Sequence, residues 1–193
     1  MRNMFGGLCA VLMLATAPVV AQTEIKDAPD PWVHPATGAS FPASIAGFER
    51  RRVVEYSEDG RDVSVGYNLK RDGKFLVVTL YAYPASAGVS CADTFADAKS
   101  HIAKRQGARL VREGLDLAPS GSGAPVAHYA RYAIPAGGMG DGSPAVTSDL
   151  YLHCPKGSGF LVKYRATGDD GFEFGPDVTR LLRAIAWPAP LRD

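Results

Sequence analysis

The chain has 193 residues, 46% of them hydrophobic, and it carries 21 Lys and Arg against 20 Asp and Glu. This length fits one domain behind a short leader, and the hydrophobic content is that of a globular protein with a core. Because the net charge is close to zero, there is no bulk attraction to nucleic acid or to an anionic membrane, and neither is expected as a partner.

The first 21 residues have the composition of a secretory signal peptide. Arg2 supplies a positive start, residues 4–14 are mostly apolar, and Val19 and Ala21 are small residues at the −3 and −1 positions of a cleavage site. The apolar run is far shorter than the roughly 20 residues that span a bilayer. We therefore predict cleavage after Ala21 and a periplasmic or secreted protein without a membrane span.

Residues 22–40 contain three prolines and no periodicity, which predicts an extended lead-in to a single domain at 41–189. Strands are predicted at 48–56, 63–69 and 75–83. The first two strands are separated by Asp59-Gly60 and the next two by Asp72-Gly73, and Asp-Gly favours tight hairpin turns. The third strand is apolar on both faces, which predicts a central position covered on both sides.

A helix is predicted to begin at Cys91, because Ser90 suits the N-cap position and Gly107 suits the residue just beyond the end. Cys91, Phe95 and Ile102 recur at helical spacing and therefore face the sheet. Four further strands are predicted at 109–117, 126–134, 146–154 and 160–167. A closing helix at 176–186 begins at Pro176.

These elements predict an α+β fold: a mostly antiparallel sheet of about seven strands with two main covering helices. Two cysteines remain after the leader, Cys91 and Cys154. In an oxidising compartment such a pair is expected to form a disulfide, and closing a loop of about 60 residues is worth about 4 kcal/mol. A free redox thiol is the alternative, but the chain has no Cys-x-x-Cys motif.

The order of the predicted elements resembles that of the PsbP-like family, whose members are α/β/α sandwiches around an antiparallel sheet. The resemblance covers residues 47–188. It is carried by the strand 76–83 running into the helix 91–107, the hairpin of Leu150-Tyr151-Leu152 with Phe160-Leu161-Val162-Lys163-Tyr164, and the helix end Ala186-Trp187-Pro188. Members of this family tend to be accessory subunits or binding modules rather than enzymes, and the resemblance implies such a role.

The sequence predicts no catalytic residue, no metal ligand and no cofactor. His153 and Cys154 are adjacent on a strand, so their side chains point to opposite faces and cannot share a metal ion. The serine-rich segments 120–123 and 157–159 lack the Gly-x-Ser-x-Gly arrangement between a strand and a helix that exposes a nucleophile. The paired carboxylates Glu58/Asp59 and Asp169/Asp170 fall in solvated turns.

The remaining candidate is a polar sheet face. If Val126, Leu150 and Val162 face the core, one set of aromatic and charged residues shares the opposite face: Tyr129, Arg131, Asp149, Tyr151, His153, Lys163 and Arg165. Such a face can bind a small anion, a glycan or a protein, and it also describes an ordinary solvent-facing sheet. The Gly-rich loop 135–145 beside it is a candidate lid.

These observations favour a secreted or periplasmic, non-enzymatic binding or accessory domain of unknown ligand and unknown protein or small-molecule partner. One alternative is a hydrolase of unrecognised type that uses the polar face and the Gly-rich loop. Another alternative is a purely structural envelope protein. An enzyme is expected to have a concave pocket with a carboxylate or histidine of strongly perturbed pKa, whereas a binding module is expected to expose an aromatic patch without such a group.

Overall fold

The computed structural model describes residues 22–121 and 125–192. The predicted signal peptide and its cleavage site at Ala21 lie outside the described residues. Within the described ranges the elements follow one another as β1 (Thr23–Glu24), β2 (Trp32–Val33), β3 (Ser40–Phe41), β4 (Ser44–Ile45), β5 (Phe48–Glu55), β6 (Val63–Arg71), β7 (Lys74–Pro84), α1 (Cys91–Ala103), β8 (Arg109–Asp116), β9 (Ala127–Ile134), β10 (Val146–His153), β11 (Phe160–Asp169), α2 (Gly175–Ala184) and α3 (Ala189–Arg192).

The seven long strands, β5 to β11, form one antiparallel sheet in the order β5-β6-β7-β11-β10-β9-β8. The short strands β1 and β4 pair with β5 at the outer side of this sheet, and β2 pairs with β3 separately. Helices α1 and α2 pack on the sheet, so the predicted α+β class with a mostly antiparallel sheet is confirmed.

The two faces of the sheet have separate cores. On the first, which we call the α2 face, Leu80, Tyr151 and Tyr164 pack with Val178 and Leu181 of α2. On the second, the α1 face, Leu150 and Leu152 pack with Phe95 and Ile102 of α1. Because successive residues of a strand point to opposite faces, β10 is apolar on both sides and contributes to both cores.

Local sequence signals explain several element boundaries. Asp72 and Gly73 both have positive φ, 53° and 77°, as a two-residue type I′ turn between β6 and β7 requires. Ser90 caps α1, and its Oγ accepts a hydrogen bond from the backbone N–H of Asp93 at 3.1 Å. Helix α1 ends at Ala103, earlier than expected, and Gly107 has a φ of 71°.

The lead-in at 22–40 is part of the packed structure. Trp32 is buried and its ring lies 5.8 Å from that of Phe41, which in turn meets Trp187 edge to face. His34 is also buried: its Nδ1 lies 2.8 Å from Thr37 Oγ1 and its Nε2 lies 3.0 Å from the carbonyl oxygen of Gly60. These contacts attach the segment to the 57–62 turn and to the closing helices.

One prediction about β7 is wrong. The strand is central, between β6 and β11, but it is not covered on both sides. Phe75 and Val77 on its α1 face are 50% and 42% exposed, because α1 packs on β9 and β10 rather than on β7. This leaves an uncovered strip of sheet next to one side of α1.

Candidate functional site

The predicted cysteine pair joins α1 to the sheet. The Sγ atoms of Cys91, the first residue of α1, and Cys154, just beyond β10, lie 2.04 Å apart, at disulfide distance. Among the described residues no group of three or more His, Cys, Asp or Glu side chains has the arrangement of a metal site. No helix in the described part of the chain is long and apolar enough to cross a bilayer.

The predicted polar sheet face does not exist as one surface. Tyr129, Arg131, Asp149, Tyr151 and His153 do share a face, but it is the α2 face, and all of them except Arg131 are buried. Their rings are part of the core: Tyr151 lies 4.8 Å from Tyr129 and 4.4 Å from Tyr164, centroid to centroid. These five residues therefore stabilise the fold and do not form an open binding surface.

The charged members of this buried group neutralise each other. Arg131 donates two hydrogen bonds to Asp149, both 2.7 Å long, and the Asp149 side chain is fully buried. The Tyr151 hydroxyl also approaches Asp149, at 3.4 Å. The Asp149 pair raises the pKa of Arg131, and burial raises the pKa of Tyr151, so the guanidinium stays charged and the phenol stays neutral.

The other two predicted members lie on the opposite side of the sheet. Lys163 stands across from Leu152, and Arg165 stands across from Leu150, which places both cations on the α1 face. Val162, expected to share a face with Leu150, lies instead on the α2 face, and Val126 is exposed. The physical reason is that β10 and β11 are apolar on both faces, so alternation alone does not define their register.

Lys163 lies in a cleft of about 450 Å³ between the uncovered strip of sheet and α1. Strands β7 and β11 form its floor, α1 forms one wall, and the 57–62 turn and the 85–90 loop close its ends. The cleft is lined by Tyr56, Asp62, Tyr81, Tyr83, Ser86, Val89, Asp93, Thr94, Asp97, Ala98, His101 and Lys163.

The Lys163 ammonium lies between aromatic rings. Its Nζ is 4.2 Å from the ring centroid of Tyr81 and 5.3 Å from that of Tyr83, distances at which a cation is attracted to the ring faces. Among the described residues no carboxylate forms an ion pair with it. Burial lowers the pKa of Lys163, and the more distant Asp62 and Asp97 offset only part of that effect.

Arg165 is a second cation with few protein acceptors. Its Nε donates to Ser148 Oγ at 3.0 Å, and Nη2 has only the Met139 sulfur of the Gly-rich loop at 3.8 Å. Burial lowers the pKa of Arg165, and the neighbouring Arg105 lowers it further. Two half-buried cations thus point from β11 to one face of the sheet, and neither has an ion-pair partner in the described part of the chain.

Tyr81 and Tyr83 on the floor of the cleft remain neutral. Burial raises the pKa of Tyr83 to about 12 and also raises that of Tyr81, where the nearby Arg165 acts in the opposite direction. Burial likewise raises the pKa of Asp62. The ring of Tyr56 lies 6.3 Å from that of Tyr81, and its hydroxyl is 3.0 Å from Ser64 Oγ. The cleft therefore offers hydroxyl groups, ring faces and the Lys163 ammonium, and its rim also carries the carboxylates of Asp62, Asp93 and Asp97.

Sequence reasoning missed most of this cleft. The residues that line it come from distant parts of the chain. Tyr83 lies in β7, the loop between β5 and β6 supplies Tyr56 and Asp62, and α1 supplies Asp97 and His101. Only the three-dimensional arrangement brings them together. The available signal was the pair of tyrosines at 81 and 83, which alternate on the face of β7 opposite Leu76, Val78 and Leu80.

Arg50, at the start of β5, is held by backbone carbonyls. Arg50 donates to the backbone carbonyls of Phe41, Ala28 and Pro29, which makes it a structural residue that holds the lead-in.

No protein-family model matches the chain, and no curated protein or solved structure matches it.

Proposed function

We propose that this protein is an exported, non-enzymatic binding domain, and that its cleft between α1, β7 and β11 holds a small ligand with an anionic group. The observation that carries the proposal is the Lys163 ammonium, half-buried between Tyr81 and Tyr83 without an ion-pair partner among the described residues. The ligand's carboxylate or phosphate meets Lys163, and its apolar body lies against the tyrosine rings.

The half-buried position of Lys163 is unfavourable for an ammonium that has no bound anion. Removing an ammonium from water without a compensating anion is unfavourable, as the lowered pKa of Lys163 reflects. A bound anion recovers that cost, because the pair forms in a cleft that is partly shielded from solvent. Arg165, two residues along the same strand face, adds positive potential to the same side of the sheet.

Two sequence features support an exported accessory role. The leader at 1–21, with cleavage after Ala21, directs the chain to the periplasm or the exterior, where a Cys91–Cys154 disulfide persists. The resemblance to PsbP-like proteins favours an accessory subunit or binding module over an enzyme. Nucleic acid is not a partner of a chain with so little net charge.

The hydrolase and structural alternatives have less support. The hydrolase alternative used the polar sheet face as a whole, but Asp149 and His153 of that face are buried on the α2 face, and Asp149 is held by Arg131. Its remaining support is Asp62 in the cleft, a carboxylate whose pKa burial raises. The Gly-rich loop lies near Arg165, and its backbone closes on itself through the bond from Gly137 N to Ser143 O at 2.8 Å. A purely structural protein does not require the half-buried, unpaired Lys163.

Binding of matched aromatic probes tests the proposal. Amide proton–nitrogen correlation spectra are recorded during titration with benzoate, with phenyl phosphate and with the uncharged benzyl alcohol. We expect saturable shifts at cleft residues for the two anions, weaker ones for the alcohol, and loss of the anion preference in Lys163→Met. Lys156→Met, at an exposed turn lysine, is the matched control and keeps the preference. Anion shifts that are unchanged in Lys163→Met contradict the proposal.

A further inference from the structure

Strand β8 forms one end of the sheet as far as the described residues show. On the β5 side, β1 and β4 occupy the outer hydrogen-bonding positions, whereas β8 at the other end has β9 as its only neighbour among the described strands. Seven of the eight residues of β8 are exposed. An edge strand of this kind presents unpaired N–H and C=O groups to a second strand.

Exposed apolar side chains concentrate at this edge. Of the eight large hydrophobic residues exposed in the described part of the chain, four belong to the β8–β9 hairpin: Leu110, Val111, Leu115 and Val126. Sheet edges are commonly protected by charged side chains, by proline or by bulges; β8 contains no proline, and its charged residues are of both signs, so they can pair as well as repel. A bulge between Leu110 and Arg112 interrupts the ladder, so the regular part of the edge is residues 112–116.

We propose that β8 pairs antiparallel with β8 of a second copy of this chain, about a two-fold axis at Gly114. In this register Arg112 lies opposite the partner's Asp116, and Asp116 lies opposite the partner's Arg112. Both side chains belong to the α2 face, because Arg112 stands across from Arg131 and Asp116 across from Ala127. The two ion pairs are therefore formed on one face, on either side of a glycine that has no side chain in between.

The neighbouring registers are less favourable. Centring the axis on Glu113 places that carboxylate opposite its own copy, and centring it on Arg112 does the same for two guanidinium groups. Centring it on Leu115 forms no direct ion pair. Shifting one strand by a single residue pairs residues of the α1 face in one copy with residues of the α2 face in the other. The two sheets would then have opposite faces on the same side. Charge thus selects Gly114 as the centre.

The dimer is expected to be weak. A pairing of five residues from each chain buries less than the roughly 1,000 Å² typical of stable interfaces, so dissociation in the micromolar range or above is expected. The contact is isologous and closes after two copies. It also uses a strand on the far side of β9 and β10 from the Lys163 cleft, so it does not depend on the proposed ligand site.

Sedimentation velocity from micromolar to millimolar concentration tests the proposal with three charge-exchange samples. We expect the wild type to dimerise reversibly. Arg112→Asp and Asp116→Arg each place like charges opposite each other twice, and each raises the dissociation constant by about tenfold or more. An equimolar mixture of the two variants restores opposite charges in the heterodimer and regains the wild-type association.

A wild type that stays monomeric over this range overturns the proposal, as do single variants that associate like the wild type or a mixture that fails to recover. Circular dichroism checks that both variants are folded. If Asp116→Arg does not fold, hydrogen exchange of the wild type decides the question. Amides of residues 112–116 become protected as concentration rises, and protection that is independent of concentration overturns the pairing.

Discussion

Arg131 and Asp149 stand directly opposite each other on β9 and β10 and are joined by two 2.7 Å hydrogen bonds, with the Asp149 side chain fully buried. The guanidinium also lies 5.7 Å from the ring centroid of Phe174, the residue before α2. This pair connects two strands beneath the second helix. The charges of Arg131 and Asp149 neutralise each other, whereas Lys163 and Arg165 have no ion-pair partner among the described residues.

Replacing Asp149 with asparagine is expected to destabilise the protein by about 2–4 kcal/mol, because the partly buried guanidinium loses its counter-charge and one of its acceptors. Urea unfolding at neutral pH measures the effect. Asp141→Asn, in the exposed part of the Gly-rich loop, is the matched control and should leave the free energy of unfolding nearly unchanged. Equal stability of the two variants would show that the pair is energetically neutral.

Removing the Cys91–Cys154 disulfide is expected to lower the free energy of unfolding, because the unfolded chain gains conformational entropy when the loop is no longer closed. Cys91 and Cys154 are 63 positions apart, and the chain-entropy model gives about 4 kcal/mol for closing such a loop. The double variant Cys91→Ser/Cys154→Ser should therefore unfold at lower urea concentration than the oxidised wild type. Reduced wild-type protein should resemble the variant, and a reduced protein as stable as the oxidised one would contradict the expectation.

His34 is expected to make stability fall in mild acid. Its partners Thr37 and Gly60 fit a neutral ring that accepts at Nδ1 and donates from Nε2, and burial holds the pKa of His34 below its ordinary 6.5. As pH falls through 6.5 the unfolded chain takes up a proton before the folded one does, so the free energy of unfolding decreases until the lowered pKa is passed.

Urea unfolding at about pH 7.5 and about pH 5 measures this dependence. His34→Gln should lower stability at both values while reducing the difference between them. A pH dependence identical in wild type and His34→Gln would assign the acid effect to other groups.

Anion binding in the cleft is expected to weaken in alkali. The anion requires the ammonium form of Lys163, whose pKa is lowered from 10.5 by burial, so the protonated fraction declines before that of an exposed lysine does. Titration with benzoate, which stays ionised throughout, should give an affinity that falls as pH rises from neutral towards 10.5. The midpoint should lie below 10.5 in the wild type and in Lys156→Met, and no such dependence should remain in Lys163→Met.

Local signals in the sequence were sufficient for most of the architecture. Asp72-Gly73 specifies its turn because both residues must adopt positive φ, and Ser90 specifies the start of α1 because its hydroxyl meets a free backbone N–H. The turn and the cap each depend on a few neighbouring residues. The pairing of Cys91 with Cys154 followed instead from their being the two cysteines left after the leader in an oxidising compartment, with Cys91 on the sheet-facing side of α1.

The candidate site depended on information that is not local. Residues of β10 and β11 are apolar on both faces, so the positions of Leu150 and Val162 did not reveal that these two residues point in opposite directions. The error moved Lys163 and Arg165 to the wrong side of the sheet. The cleft also requires knowing which strands α1 covers, and that depends on the packing of Phe95 and Ile102 against β9 and β10.

The Cys91–Cys154 tie also bears on how a ligand can enter the cleft. One wall of the cleft is α1, and the tie fixes the first residue of that helix to the end of β10. The N-terminal end of α1 therefore cannot move away from the sheet while the C-terminal end stays in place. A ligand has to enter either when the C-terminal end of α1 moves or when the exposed 85–90 segment is displaced, and the second route leaves the helix in position.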